Sequence, residues 1–159
     1  MLKKLKQWLS PESENPYPSD FTNKILSQSK ELGWQISINS ETSASINFDM
    51  GEDRSQLVFM FLMGEIANQP IVQISSPAAK LEDISDKMDQ DFMNELLRLN
   101  SQAINFGWSI ETIEGEGDYL LAASDQLLNT MDVGELRMAT YAVASAADEM
   151  ENKFGLDRF

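Results

Sequence analysis

Leu57-Val58-Phe59-Met60-Phe61-Leu62-Met63 is a run of seven side chains with no polar position. Seven residues are short for a helix and ordinary for a strand, and turn-forming residues flank the run on both sides. A strand that is apolar at every position is one with both faces covered. One set of alternating side chains packs on the helices of its own chain. The other set, either Leu57, Phe59, Phe61 and Met63 or Val58, Met60 and Leu62, is core as well or contributes to an interface with a second molecule. We place the candidate protein interface at Leu57, Phe59, Phe61 and Met63.

Upstream of this run the pattern has a period of two. Trp34, Ile36 and Ile38 alternate with Gln35, Ser37 and Asn39, and Ala44, Ile46, Phe48 and Met50 alternate with Ser45, Asn47 and Asp49. Each segment reads as a half-buried strand with one wet face. Glu41-Thr42 forms the turn between them, and Gly51-Glu52-Asp53-Arg54 the turn into the apolar run. Before the strands, Phe21, Ile25, Leu26 and Leu32 recur at helical spacing. Ser19 or Asp20 caps that helix, near 20–32, and Gly33 ends it.

Downstream, residues 64–70 read as a loop and Ile71–Ile74 as a fourth strand stopped before Pro77. Asp83, Asp86, Asp89 and Asp91 then suit the positive end of a second helix, near 86–105. Its stripe is Phe92, Leu96, Leu99 and Ala103, widened by Met93, Leu97 and Ile104 and closed by Gly107. Trp108, Ile110 and Ile113 begin another strand, Gly115-Glu116-Gly117-Asp118 turns a hairpin, and Tyr119–Ala123 returns. Asp132 with Glu135 three residues on is the signature of a capped helix over 132–154. Leu136, Thr140, Val143, Ala147, Met150 and Phe154 lie along one of its faces. The resulting order is α-β-β-β-(β)-α-β-β-α, an α+β fold with three helices and an antiparallel sheet of five or six strands.

At 159 residues the chain has the length of one domain. Three of its five prolines fall in 10–18, Ser-Pro-Glu-Ser-Glu-Asn-Pro-Tyr-Pro, and proline cannot continue a helix and biases the residue before it to extended geometry. We therefore divide it into a basic tail and linker, 1–18, and a single domain, 19–159. Within the tail, Leu2, Leu5, Trp8 and Leu9 fall on one side of a short amphipathic turn, and Lys3, Lys4 and Lys6 supply its charge.

Composition removes much chemistry. The chain has no Cys and no His, so thiol catalysis, disulfides, thiolate metal sites, the commonest general base and the commonest metal ligand are all absent. The net charge is -14, and residues 11–159, with 9 basic and 26 acidic side chains, carry -17. Such a body repels nucleic-acid phosphates and anionic membrane faces. No run approaches the ~18 apolar residues of a membrane helix, and no apolar core of a signal peptide follows the first lysines. We expect a cytoplasmic protein that binds no nucleic acid and has no stable membrane insertion.

The remaining candidates for chemistry have simpler readings. Gly115-x-Gly117 lacks a third glycine and precedes a strand, so it is a turn rather than a phosphate cradle. The acids from Asp83 to Asp91 lack the central glycine and closing Glu of a calcium loop. Glu111, Glu114, Glu116 and Asp118 sit at a hairpin tip, where water keeps carboxylates ordinary. We therefore expect no enzyme, and no catalytic, cofactor or metal site.

Four features resemble the YbjN family and the type III secretion chaperone-like fold. They are the helix with Gly33-Trp34 opening a meander, Arg54-Ser-Gln-x-Val58 entering the apolar strand, Leu96-Leu-Arg-Leu-Asn100 ahead of Gly107, and Asp132-x-x-Glu135-Leu136-Arg137 opening an alanine-rich helix. The similarity spans about residues 19–155. It implies the element order already read, homodimers in many chaperone members, and binding of partner proteins rather than catalysis. The favoured reading is a chaperone-like or regulatory protein-binding module, forming a homodimer and acting through an apolar surface. The alternative is an acidic decoy that mimics a nucleic-acid surface and inhibits a basic partner.

Overall fold

The computed structural model describes residues 15–51 and 54–156, and the tail up to residue 14 lies outside the described residues. The elements are α1 (Asp20–Glu31), β1 (Ser37–Ser40), β2 (Ser43–Gly51), β3 (Arg54–Ile66) and β4 (Gln69–Lys80). A 3-10 segment (Leu81–Lys87) follows, then α2 (Gln90–Gln102), β5 (Gly107–Ile113), β6 (Gly117–Leu127) and α3 (Val133–Phe154). The six strands form one antiparallel sheet in the order β1-β2-β3-β4-β6-β5. Among the described residues the α+β class, the three α-helices and the six-stranded antiparallel sheet are as the sequence predicts.

Local chemistry sets the helix ends. Ser19 accepts from the Thr22 amide while the Thr22 hydroxyl accepts from the Ser19 amide, so two orphan donors of the first turn are satisfied reciprocally. Asp132 and Glu135 do the same for α3, at 2.8 and 2.9 Å. Gly33 and Gly155 take φ of 71° and 70°, the left-handed step that turns the chain out of a helix and that a Cβ disfavours.

Several boundaries differ from the sequence reading, each for a physical reason. β1 starts only at Ser37, because Trp34 still closes the helix end by donating to the Ser29 carbonyl at 2.9 Å. Of the turn after Gly51, residues 52 and 53 lie outside the described residues. The loop expected over 64–70 is instead a two-residue hairpin, with Ile66 paired to Gln69 and with Ala67 and Asn68 at φ 51° and 60°. Both central residues of such a turn need positive φ, which usually calls for Gly or Asn. Ala at the first position hides the turn from a sequence reading.

β4 also runs through Pro77 instead of stopping before it. The β3–β4 backbone pairing ends at Phe59–Ser75, and side chains take over beyond it. Ser76 donates to the Leu57 carbonyl at 2.8 Å, and the buried Gln56 amide donates to the Pro77 carbonyl at 2.8 Å. The missing proline N–H is thus absorbed at a bulge. β6 likewise extends past Ala123 to Leu127, because its polar residues Ser124, Asp125 and Gln126 pair with β4.

α2 is shorter than expected. It begins at Gln90, capped by Asp89, which accepts from the Phe92 amide at 2.8 Å, while Asp83 and Asp86 belong to the 3-10 segment. Gly107 does not close it. Ala103 leaves the helix extended, Asn105 takes φ 65°, and Gly107 opens β5. The Asn100 side chain accepts from the Trp108 amide at 2.6 Å and donates to its carbonyl at 3.1 Å, which pins the strand to the helix.

The helices α1 and α3 pack on one face of the sheet over Ala44, Ile46, Phe48, Val58, Met60, Val72, Ile74 and Ala122, all buried. A second cluster joins Phe92 and Leu96 of α2 to Leu120, Ala147, Met150 and Phe154. Met93, Leu97 and Ile104, expected to widen the α2 stripe, are exposed instead. Arg54 fastens the start of β3 to α3 through both oxygens of Asp148, at 3.0 and 3.2 Å.

The strained hairpin gives the first prediction. Ala67→Gly relieves a left-handed alanine, a cost of roughly 1–2 kcal/mol, at the expense of glycine's extra backbone entropy of roughly 0.5–1 kcal/mol. We expect a net stabilisation of up to about 1 kcal/mol, read as a higher denaturant midpoint with an unchanged slope. A lower midpoint would show that the turn is not left-handed at this position.

Candidate functional site

β3 is thirteen residues long and its two faces have different fates. Val58 and Met60 are completely buried beneath the helices, and Leu62 packs against the same cluster. Leu57, Phe59 and Phe61 are half-buried on the opposite face, and Met63 is 57% exposed. The sequence left open which alternating set faces outward, and the register decides it: Met60 pairs with Ala44 and Ile74, both core. The run is not covered on both sides by the described residues, since their three α-helices contribute to the clusters on the Val58–Met60 side.

The outward set lines a groove of about 390 Å³. Its floor is Leu57, Phe59, Phe61 and Met63 together with Ser75, Pro77 and Leu121, and its far wall is Ile113 and Tyr119 of the β5–β6 hairpin. Phe59 and Phe61 stack at 5.7 Å between centroids with 19° between the rings. Beside them the sheet offers small polar side chains, Ser43 and Ser45 from β2 and Gln73 and Ser75 from β4. The groove is therefore an apolar track with narrow polar shoulders.

Sequence reasoning found the β3 half of this groove and missed the other half. Pro77 reaches it because β4, the neighbour of β3, runs on through the proline, and Ile113, Tyr119 and Leu121 reach it because β6 inserts between β4 and β5, an order that nothing in a linear pattern announces. The one available signal was the alternation of Tyr119, Leu121 and Ala123 with Leu120 and Ala122.

Glu111 and Glu116 rim the groove at the hairpin end. Glu116 accepts from the Tyr119 hydroxyl at 3.3 Å and Asp118 from Thr112 at 2.6 Å. Burial, reinforced by the Glu116 charge, raises the Tyr119 pKa above that of an ordinary phenol. Lys80 is likewise raised, chiefly by its hydrogen bond to Glu82 at 2.7 Å. Neither is a group poised for proton transfer near neutral pH. Among the described residues no group of three or more acidic side chains is gathered as a metal site would require. No helix among them is long and apolar enough to cross a membrane.

A second cavity, about 610 Å³, opens between α2 and α3. Leu99, Ala103, Phe106, Trp108, Ala146 and Met150 line it, and the Lys153–Glu95 pair, at 2.6 Å, crosses its rim.

A chain of the HopA1–SchA chaperone–effector complex superposes with a TM-score of 0.58 and 11% identity, covering 84% of this chain and 94% of that one. A chain of the Yersinia pestis complex between the type III secretion chaperone SycH and a fragment of YscM2 gives 0.55 at 14% identity, covering 83% and 99%. YbjN from E. coli gives 0.53 at 11% identity, covering 86% and 93%. The chain has the type III secretion chaperone-like fold. No family model matches the sequence, and no curated protein matches it. At these identities the likeness is one of fold alone.

One strand supplies its own control for the open face. Met60→Ala should cost about 2–5 kcal/mol, the usual range for a buried methionine. Met63→Ala should stay within about 0.5 kcal/mol, as exposed positions do. Chemical denaturation of both variants checks this, and equal losses would mean that something covers Met63.

Proposed function

We propose that this protein is a non-enzymatic, chaperone-like binding module that receives an apolar segment of a partner protein along Leu57, Phe59, Phe61 and Met63. The observation that carries the reading is the open sheet face: aromatic side chains lie in a groove that the described helices leave uncovered. Burying a Phe or Leu side chain is worth roughly 1.5–3 kcal/mol, so three or four anchors contribute roughly 4.5–12 kcal/mol, the same order as the costs of association they have to offset. The neighbours' fold and their occurrence in complexes with partner proteins support the same reading. A lack of thiols and imidazoles speaks against an enzyme.

The acidic decoy is the competing reading, and salt separates the two. Purified full-length chain, wild type and with Phe59→Ser and Phe61→Ser, is used as bait at about 50 and about 500 mM salt, where screening shortens the reach of surface charge several-fold. A partner held by the groove survives high salt and binds the double variant at least tenfold more weakly, each tenfold being about 1.4 kcal/mol. A basic partner that high salt releases and that the variant still holds would establish the decoy instead.

A homodimer belongs to the same proposal. Met93, Leu97 and Ile104 of the α2 region are 37%, 67% and 77% exposed and offer apolar surface to a second copy without occupying the groove. Light scattering should give a dimer that tightens at high salt, as screening relieves repulsion between two acidic bodies. Leu97→Asp should return it to a monomer, and a wild-type monomer at both salts would end this part of the reading.

A further inference from the structure

The groove has an occupant within reach, because the chain enters the domain at one end of it. Asn15 is anchored by its side-chain amide, which donates to Thr22 and Asn23 at 2.8 and 3.0 Å. Four residues later, Ser19 donates to the Glu41 carbonyl at 2.7 Å, and Ser19 and Asp20 share a cleft with Leu62, Met63 and Gly64. The apolar track starts at Met63 and runs away from this point to Leu57, about 20 Å at roughly 3.3 Å per strand residue. Fourteen residues precede Asn15. Extended, they span up to roughly 46 Å at about 3.3 Å each, more than twice the track.

Order and charge agree with reach. At the far end of the track lies the β5–β6 hairpin with Glu111, Glu114, Glu116 and Asp118. None of the ion pairs among the described residues takes these carboxylates. Reading backward from Asn15, past Glu14 and Glu12, the tail presents Leu9 and Trp8, then Lys6, Leu5, Lys4, Lys3 and Leu2. Laid along the track from Met63, Leu9 and Trp8 meet the aromatic floor first, and the lysine-rich stretch from Lys6 to Lys3, with Leu5 inside it, arrives at the acidic hairpin.

We propose that residues 1–10 of the same chain occupy this groove, with Leu5, Trp8 and Leu9 on the β3 track and the lysines against the β5–β6 hairpin. The tail is then a tethered competitor. A partner reaches the groove only in the fraction of molecules whose tail has left it, and its apparent affinity falls by that fraction. The inference rests on the proposed function only for this regulatory consequence. Occupancy by the tail stands or falls by itself.

The test uses the absence of cysteine from the chain. A spin label on full-length Gln7→Cys is unique, and its paramagnetic broadening is read on the backbone amides. We expect loss of the Phe59, Phe61, Met63 and Glu116 signals, with those of the α2–α3 cavity unaffected. Adding Leu5→Ser and Trp8→Ser, which leave residues 15–156 unchanged, should restore the lost signals, and about 500 mM salt should restore them in part by screening the lysines. No broadening at the groove, or broadening that the serine variants leave unchanged, overturns the proposal. So does broadening that appears only when labelled chain is mixed with unlabelled isotope-enriched chain, since the tail then comes from a second copy. A docked tail in a protein that holds no partner at high salt would overturn the proposed function alone. An undocked tail in a protein that does hold one would overturn this inference alone.

Discussion

Val58 and Met60 are held at zero exposure between β2 and β4 and beneath α3, and their burial fixes where every other side chain of β3 points. Side chains alternate strictly along a strand, and a slip of one residue would exchange the two faces. Locking Met60 into the core therefore turns Leu57, Phe59, Phe61 and Met63 outward together. Among the described residues the α-helices lie on one side of a single sheet and leave the other side uncovered. Here that other side is aromatic along its central strand.

The rest of the fold serves this arrangement. Antiparallel neighbours on both sides keep β3 away from the sheet edges, so its exposed face is usable while its backbone is not available for edge-to-edge pairing. Where proline ends the β3–β4 ladder, Gln56 and Ser76 continue it with side chains, which keeps Leu57 and Pro77 side by side in the groove floor. Arg54 ties the start of the strand to α3. The groove is thus mounted on a strand paired on both sides and tied to α3, the condition under which an apolar surface keeps one shape instead of collapsing on itself.

Much of this was legible in the sequence because it is local. Alternating Ile46 and Phe48, the Asp132–Glu135 cap and the left-handed Gly33 and Gly155 each announce a structure through their immediate neighbours. What escaped depends on partners distant in sequence or on uncommon residues in common roles. Ala67 occupies a position that glycine or asparagine usually fills, so a tight hairpin read as a loop. Pro77 lies inside a strand because Gln56, twenty-one residues earlier, supplies a bond to its carbonyl. The candidate site divided the same way. The β3 stripe could be found from its composition, while Tyr119 and Leu121 joined it through a strand order that no local pattern encodes. Asp83 and Asp86 misled for the opposite reason: their charge suits a helix start, but Asp89 alone has the geometry of the cap.

The charge distribution bears on what such a groove can hold. A body of -17 repels a second acidic body and most acidic segments, and it attracts basic amphipathic ones. Apolar anchors by themselves discriminate poorly, because any Leu- or Phe-bearing segment gains similar burial energy. The acidic hairpin at one end of the track adds direction, since a segment with lysines at the wrong end would set them against the Met63 end and leave the carboxylates unanswered. In the proposed docking, affinity comes from the aromatic floor and orientation from the hairpin. A chain with its own basic, apolar segment tethered at the opposite end carries a ligand of that polarity in the correct order.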